Sequence, residues 1–129
     1  IEGQCARILA VRDTDAQIAK LRRIIEDEEN LTELTTASYF QANRNIHRAF
    51  VEAAGNRFLL DMFDMIWGKA MAFFLFAAIE NVDFAQSLGA HKELVDVIAS
   101  GDKTATLEKF MAHIQDGFEL QMEGLDLTN

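Results

Sequence analysis

The sequence predicts an all-α fold, an antiparallel bundle of about six helices forming a single domain over residues 1–129. Three observations carry this expectation. Proline is absent, so no ring interrupts a helical hydrogen-bond ladder. Apolar residues recur at three- and four-residue steps almost throughout, the spacing of one helix face. The breaks between periodic stretches are short and hold turn residues, among them Gly55-Asn56 and Ser100-Gly101-Asp102.

The first helix runs from Ile1 to about Arg12. The second begins at Thr14-Asp15-Ala16-Gln17, a capping box in which Thr14 accepts from the Gln17 amide, and its stripe is Ile18, Leu21, Ile24 and Ile25. The acidic run Glu26 to Glu29 then leads into a polar connection, Asn30 to Thr36, and reads as a solvated helix end. A third helix carries Phe40, Asn43, His47, Phe50, Val51 and Ala54 on one face and stops at Gly55-Asn56, residues that tolerate a left-handed C-cap. The fourth, from about Phe58, is apolar nearly all round through Leu59, Leu60, Phe63, Ile66, Trp67, Phe73 and Phe74, as expected of a central helix enclosed by others. The fifth includes Leu88, His91, Leu94, Val95 and Ile98. After the break at Gly101, with Asp102 as N-cap, the sixth carries Leu107, Phe110, Met111, Ile114 and Phe118.

Composition narrows the function. Half of the 129 residues are apolar and about a quarter are charged, the balance of a folded globular domain. With 21 acidic against 12 basic residues the net charge is −9, the wrong sign for a surface that must displace counterions from nucleic acid. The longest apolar run, Ala70 to Ile79, is about half of the roughly 20 residues needed to span a bilayer and reads as core. No basic region precedes a hydrophobic segment, so no secretory signal is expected, and a chain beginning at Ile1 reads as a fragment. Cys5 is alone, which excludes an internal disulfide, suits a reducing cytoplasm and reads as a small buried hydrophobe.

The three histidines, His47, His91 and His113, are the chemistry-bearing residues. Asn43 and His47 stand at i and i+4, about 40° apart on one helix face. Both lie within an apolar stripe, where an unsatisfied polar group costs roughly 1 to 3 kcal/mol. His91 sits between Leu88 and Leu94, and His113 flanks the stripe of the sixth helix. Across an antiparallel hairpin at Gly101, each stands about 15 to 18 Å from the turn at about 1.5 Å per residue, so the two are level. Every histidine can therefore converge on one point. Three imidazoles with the Asn43 amide oxygen form a first shell suited to zinc, nickel or a similar divalent ion, and hydrogen-bonded core histidines are the alternative.

The stretch Asn43 to Asn56 (NRNIHRAFVEAAGN) resembles the signature helix of the FadR C-terminal domain, the effector-binding half of many GntR-type transcription regulators. His91 to Asp102 (HKELVDVIASGD) followed by MAHI at 111 to 114 is similar to that family's paired histidine helices, and EGQCARILA with RDTD resembles its first helix and turn. The resemblance covers essentially the whole chain, and the interval from His91 to His113 is its most specific element. It implies a bundle around a central metal and effector cavity, in a cytoplasmic homodimer whose DNA contacts come from an N-terminal winged helix-turn-helix outside this chain.

In the metal-binding branch of that family, three histidines are joined by an acid four residues before the first. Here that position is Asn43, and Ala90 stands where an acid often precedes the second histidine. Loss of a carboxylate implies weaker metal binding and a more positive site, suited to an anionic effector that completes the shell. The resemblance implies a small carboxylate such as a hydroxy acid, dicarboxylate or sugar acid. Arg7 and Lys69 are the candidate basic partners for it. Two rivals remain open: a metal-free structural or dimerisation module, kept in play by Asn43, and a metal hydrolase. Against the hydrolase, no HExxH occurs and helical geometry turns the nearest acid, Glu93, about 200° from His91. A di-iron bundle would need paired Glu-x-x-His motifs, which this chain lacks.

Overall fold

The computed structural model describes residues 1–12, 15–30, 35–69 and 84–128. These form six helices with no strand among them: α1 (Glu2–Arg12), α2 (Asp15–Glu29), α3 (Thr36–Ala53), α4 (Arg57–Trp67), α5 (Phe84–Ala99) and α6 (Lys103–Thr128). The all-α bundle expected from periodicity is therefore the observed architecture. Thr14, the Ala70 to Ile79 run with Phe73 and Phe74, and the side chain of Leu88 lie outside the described residues.

Local sequence explains the element ends. Thr35 accepts from the Ser38 amide while the Ser38 hydroxyl accepts from the Thr35 amide, a reciprocal box that starts α3. Gly55 adopts φ +75°, the left-handed residue past the end of α3. Asn56 does not share that role: it is extended at φ −101° and its side chain accepts from the Phe58 and Leu59 amides, capping α4 instead. Gly101 turns the chain at φ +74°, and Asp102 then caps α6 through the Ala105 amide at 3.0 Å. The buried Thr106 hydroxyl, 3.0 Å from the Val97 carbonyl oxygen, ties α6 back onto α5.

The core joins Cys5, Ala6 and Leu9 of α1, Leu21 and Ile25 of α2, Tyr39, Ile46, Phe50 and Val51 of α3, Phe63 of α4, Leu94, Val95 and Ile98 of α5, and Phe110 of α6. Cys5 is fully buried, as its reading as a small hydrophobe requires. Among the described residues the central helix is α3 rather than α4. It packs against α1, α2, α4 and α5 and buries seven residues, whereas α4 buries Phe63 alone among described residues and leaves Phe58 81 % exposed. Apolarity around a helix signals enclosure only when neighbours reach every side, and among the described helices it is α3 that packs on α4. An Arg48–Asp64 fork, 2.9 and 3.1 Å, joins the two helices beside that contact.

The inward face of α6 also differs from the expected stripe. Thr106 and Phe110 are buried while Met111, Ile114 and Phe118 are exposed. Rotating the stripe in this way brings His113 from the flank towards the interior. Four helices, α1, α3, α5 and α6, consequently share one interior region, with α1 against α6 and α3, and α5 against both α6 and α3.

Candidate metal centre

Each histidine reaches the centre from a different helix. His47 projects from α3 between the buried Ile46 and the Ala49 to Val51 segment, His91 from α5 one turn before Leu94 and Val95, and His113 from α6 one turn after Phe110. His91 has no exposed surface and His47 only 4 %. Their ring centroids form a nearly equilateral triangle: 5.0 Å from His47 to His91, 5.1 Å from His47 to His113 and 4.9 Å from His91 to His113. Helix rise alone made the last two level across the Gly101 turn, and the rings do meet.

The nitrogens converge more closely than the rings. His47 Nε2 lies 3.1 Å from His91 Nε2 and 3.3 Å from His113 Nε2. One nitrogen from each residue falls within 4.8 Å of the others. Two nitrogens bound to one ion at about 2.0 to 2.1 Å stand roughly 3.0 Å apart at a right angle and roughly 3.4 Å apart at a tetrahedral angle. The separations from His47 to each of the other two fall between these limits, the spacing that pairs of ligands around one divalent ion take. A neutral imidazole has one lone pair and one N–H. The single Nε2 of His47 therefore cannot satisfy both neighbours as a hydrogen-bond acceptor, whereas a cation satisfies all three lone pairs at once.

Sequence reasoning missed two residues here. Glu2, in the first turn of α1, brings Oε2 to 3.2 Å from His47 Nδ1, the ring nitrogen facing away from the other imidazoles. Glu2 is the carboxylate nearest to this nitrogen, and the buried Nδ1 makes no hydrogen bond of aligned geometry. Trp67, at the end of α4, stacks on the His47 ring at 5.9 Å and 21° while also contacting Phe40 and Phe63. Glu2 was detectable as a carboxylate in phase with Ala6 and Leu9, on the apolar face of the first helix. Trp67 carried no signal beyond its size.

The electrostatics follow from burial. His113 has its pKa pushed down to about 4, first by burial and then by the neighbouring His47, against a smaller upward pull from Glu2. Burial alone would raise the Glu2 carboxyl, but the adjacent His47 and the nearby His113 together hold it below the usual carboxylate value. The cluster is thus arranged to keep His113 neutral, the form that binds metal, next to one buried negative charge.

The remaining sequence candidates are more peripheral. Asn43 is half-buried on α3, one turn before His47 and on the same side of the helix. Arg7 is exposed on α1, about 140° around the helix from Glu2. Lys69 is exposed two residues beyond Trp67.

Comparison with known proteins gives a consistent result. No curated protein matches the chain. A solved structure described as the metal-free FCD domain of TM0439, a candidate transcriptional regulator, aligns with a TM-score of 0.68 at 22 % identity, covering 98 % of this chain and 86 % of that one. At that identity the likeness speaks for the fold alone. The family model of the FCD domain matches residues 1–116, a span holding all six helices in whole or part and all three histidines, and on that match the chain belongs to the FCD domain family.

Proposed function

We propose that this chain is the ligand-sensing domain of a bacterial transcription regulator, in which His47, His91 and His113 hold one divalent metal ion, zinc or nickel. Asn43 supplies a neutral oxygen donor beside them. A small carboxylate effector completes the shell, and its binding controls DNA binding by a separate N-terminal domain, in a cytoplasmic homodimer. The observation that carries the reading is the convergence of three imidazole nitrogens, two of them within 3.1 and 3.3 Å of the third, in the buried interior of an FCD domain. When bound, the ion acts as a Lewis acid that holds the effector's oxygen. Lys69, close in sequence to the Trp67 that stacks on His47, and Arg7 on α1 are the proposed cationic partners of that carboxylate.

The net charge of −9 supports assigning DNA contact to another domain. No helix among the described residues is long and apolar enough to cross a membrane. The hydrolase reading loses ground, because the carboxylate beside the triad lies at His47 Nδ1, on the side away from the other two imidazoles, and so is not placed to activate a metal-bound water. A metal-free structural or dimerisation module is the second reading. It is favoured by Asn43 and by the metal-free form in which the FCD domain of TM0439 was solved.

Metal analysis of the purified protein beside His47→Ala, His91→Ala and His113→Ala separates the two. The sensing reading expects close to one ion per chain in the wild type and a loss in each variant. Equally low metal in all four proteins refutes it. A thermal-shift screen of small carboxylates with and without zinc or nickel then finds the effector, which raises the melting temperature only where it binds the folded state.

A further inference from the structure

We infer that Glu2 is a positioning residue for the centre: its carboxylate holds the His47 proton on Nδ1 and thereby presents the Nε2 lone pair to the point where the three imidazoles meet. The inference rests on the metal-site reading above for its consequence, but its geometry stands independently. Glu2 Oε2 and His47 Nδ1 are 3.2 Å apart, and both side chains are nearly buried, 11 % and 6 % exposed. Nδ1 is removed from water and has no aligned hydrogen-bond partner, so the carboxylate 3.2 Å away is the group available to receive its N–H. The opposite ring nitrogen, Nε2, is the hub that lies within 3.3 Å of both other histidines. An imidazole has two tautomers, and a proton on Nε2 would point into that hub and block it. A carboxylate at Nδ1 selects the other tautomer and raises the basicity of Nε2.

Charge adds a second reason. Three neutral imidazoles and the Asn43 amide offer a dication no negative charge, and Glu2 brings one to the rear of the ligand that contacts both others. Trp67, stacked on the same ring, limits the rotation of His47 from its face while Glu2 fixes it from its edge. Because Glu2 belongs to α1 and His47 to α3, the contact also makes the ligand geometry depend on how α1 is docked.

The test uses the whole chain. In metal-free protein at about pH 8, above the ordinary histidine range, nitrogen NMR of labelled histidine reads the His47 tautomer directly. The wild type is expected to carry its proton on Nδ1, and Glu2→Gln, which keeps the shape and removes the charge, to shift towards a mixture. Chelator competition with zinc alone is expected to give roughly 10- to 100-fold weaker binding in Glu2→Gln, with partial recovery in Glu2→Asp. A wild-type His47 protonated on Nε2 overturns the inference even if no variant folds. So does an unchanged tautomer in Glu2→Gln, including one accompanied by weaker zinc binding, since that would make Glu2 a source of charge alone. A wild type that binds no zinc defeats the metal-site reading instead, and the tautomer measurement still decides the role of Glu2.

Discussion

Acid should unfold the metal-free domain through His113, and by a calculable amount. The residue has a folded pKa of about 4 against an ordinary 6.5. Because the folded value is depressed, the unfolded chain takes up the proton first. The stabilising contribution is therefore whole above 6.5 and is lost as pH falls towards 4. At about 1.36 kcal/mol per pKa unit, the full gap corresponds to roughly 3 kcal/mol, and at about pH 5 roughly 2 kcal/mol of it is already gone. That is a large share of the 5 to 15 kcal/mol typical of a domain. Urea denaturation with chelator present, at about pH 7, 6 and 5, measures the loss as a falling midpoint at constant slope. His113→Gln, which cannot ionise, should lower stability at neutral pH and flatten the dependence between 7 and 5. If the wild type and His113→Gln lose stability in parallel, burial of a neutral His113 is not what makes the fold acid-sensitive, and the reasoning fails.

Three further outcomes are expected. Nickel, bound at the histidines, should quench the fluorescence of Trp67, the only tryptophan and 5.9 Å from the His47 ring, and His47→Ala should abolish the quenching; equal quenching in both would place the ion elsewhere. Burial pushes the Cys5 thiol up to about 11 from 9, so its stabilising contribution is whole below about 9 and is lost as pH rises through 11. Alkylation at about pH 8, followed by mass spectrometry, should be slow in the folded protein and fast in denaturant. Gly101→Ala should cost about 1 to 2 kcal/mol, because φ +74° is unfavourable for a residue with a Cβ while the space around it is open; an unchanged denaturation midpoint would contradict this.

The sequence disclosed most where the relevant distances run along a helix. His91 and His113 could be levelled by counting residues from Gly101, since helix rise is fixed and the hairpin is local. Asn56 was harder, because the same small polar residue ends one helix or begins the next, and only the backbone angle decides. The burial of α4 was harder to read for a related reason. Periodicity reports which residues prefer burial, but not how many neighbours are present to bury them, and Phe58, Met65 and Ile66 stay exposed beside α3. The partnership of Glu2 with His47 lay beyond any local rule. An acid in the first turn of a helix has an ordinary explanation in the helix dipole, and its meeting with a residue 45 positions later depends on how α1 packs against α3.

The arrangement has a consequence for how the domain responds as a whole. No helix supplies more than one of Glu2, His47, His91 and His113, and they come from α1, α3, α5 and α6 in turn. A peptide or hairpin cut from the chain would retain at most two of the four, and so could not assemble the full set. Affinity at the centre therefore measures the integrity of the complete tertiary structure. Whatever occupies it draws the opening helix, the central helix and the closing hairpin into one cooperative unit, and loosening any of the four is felt by the other three.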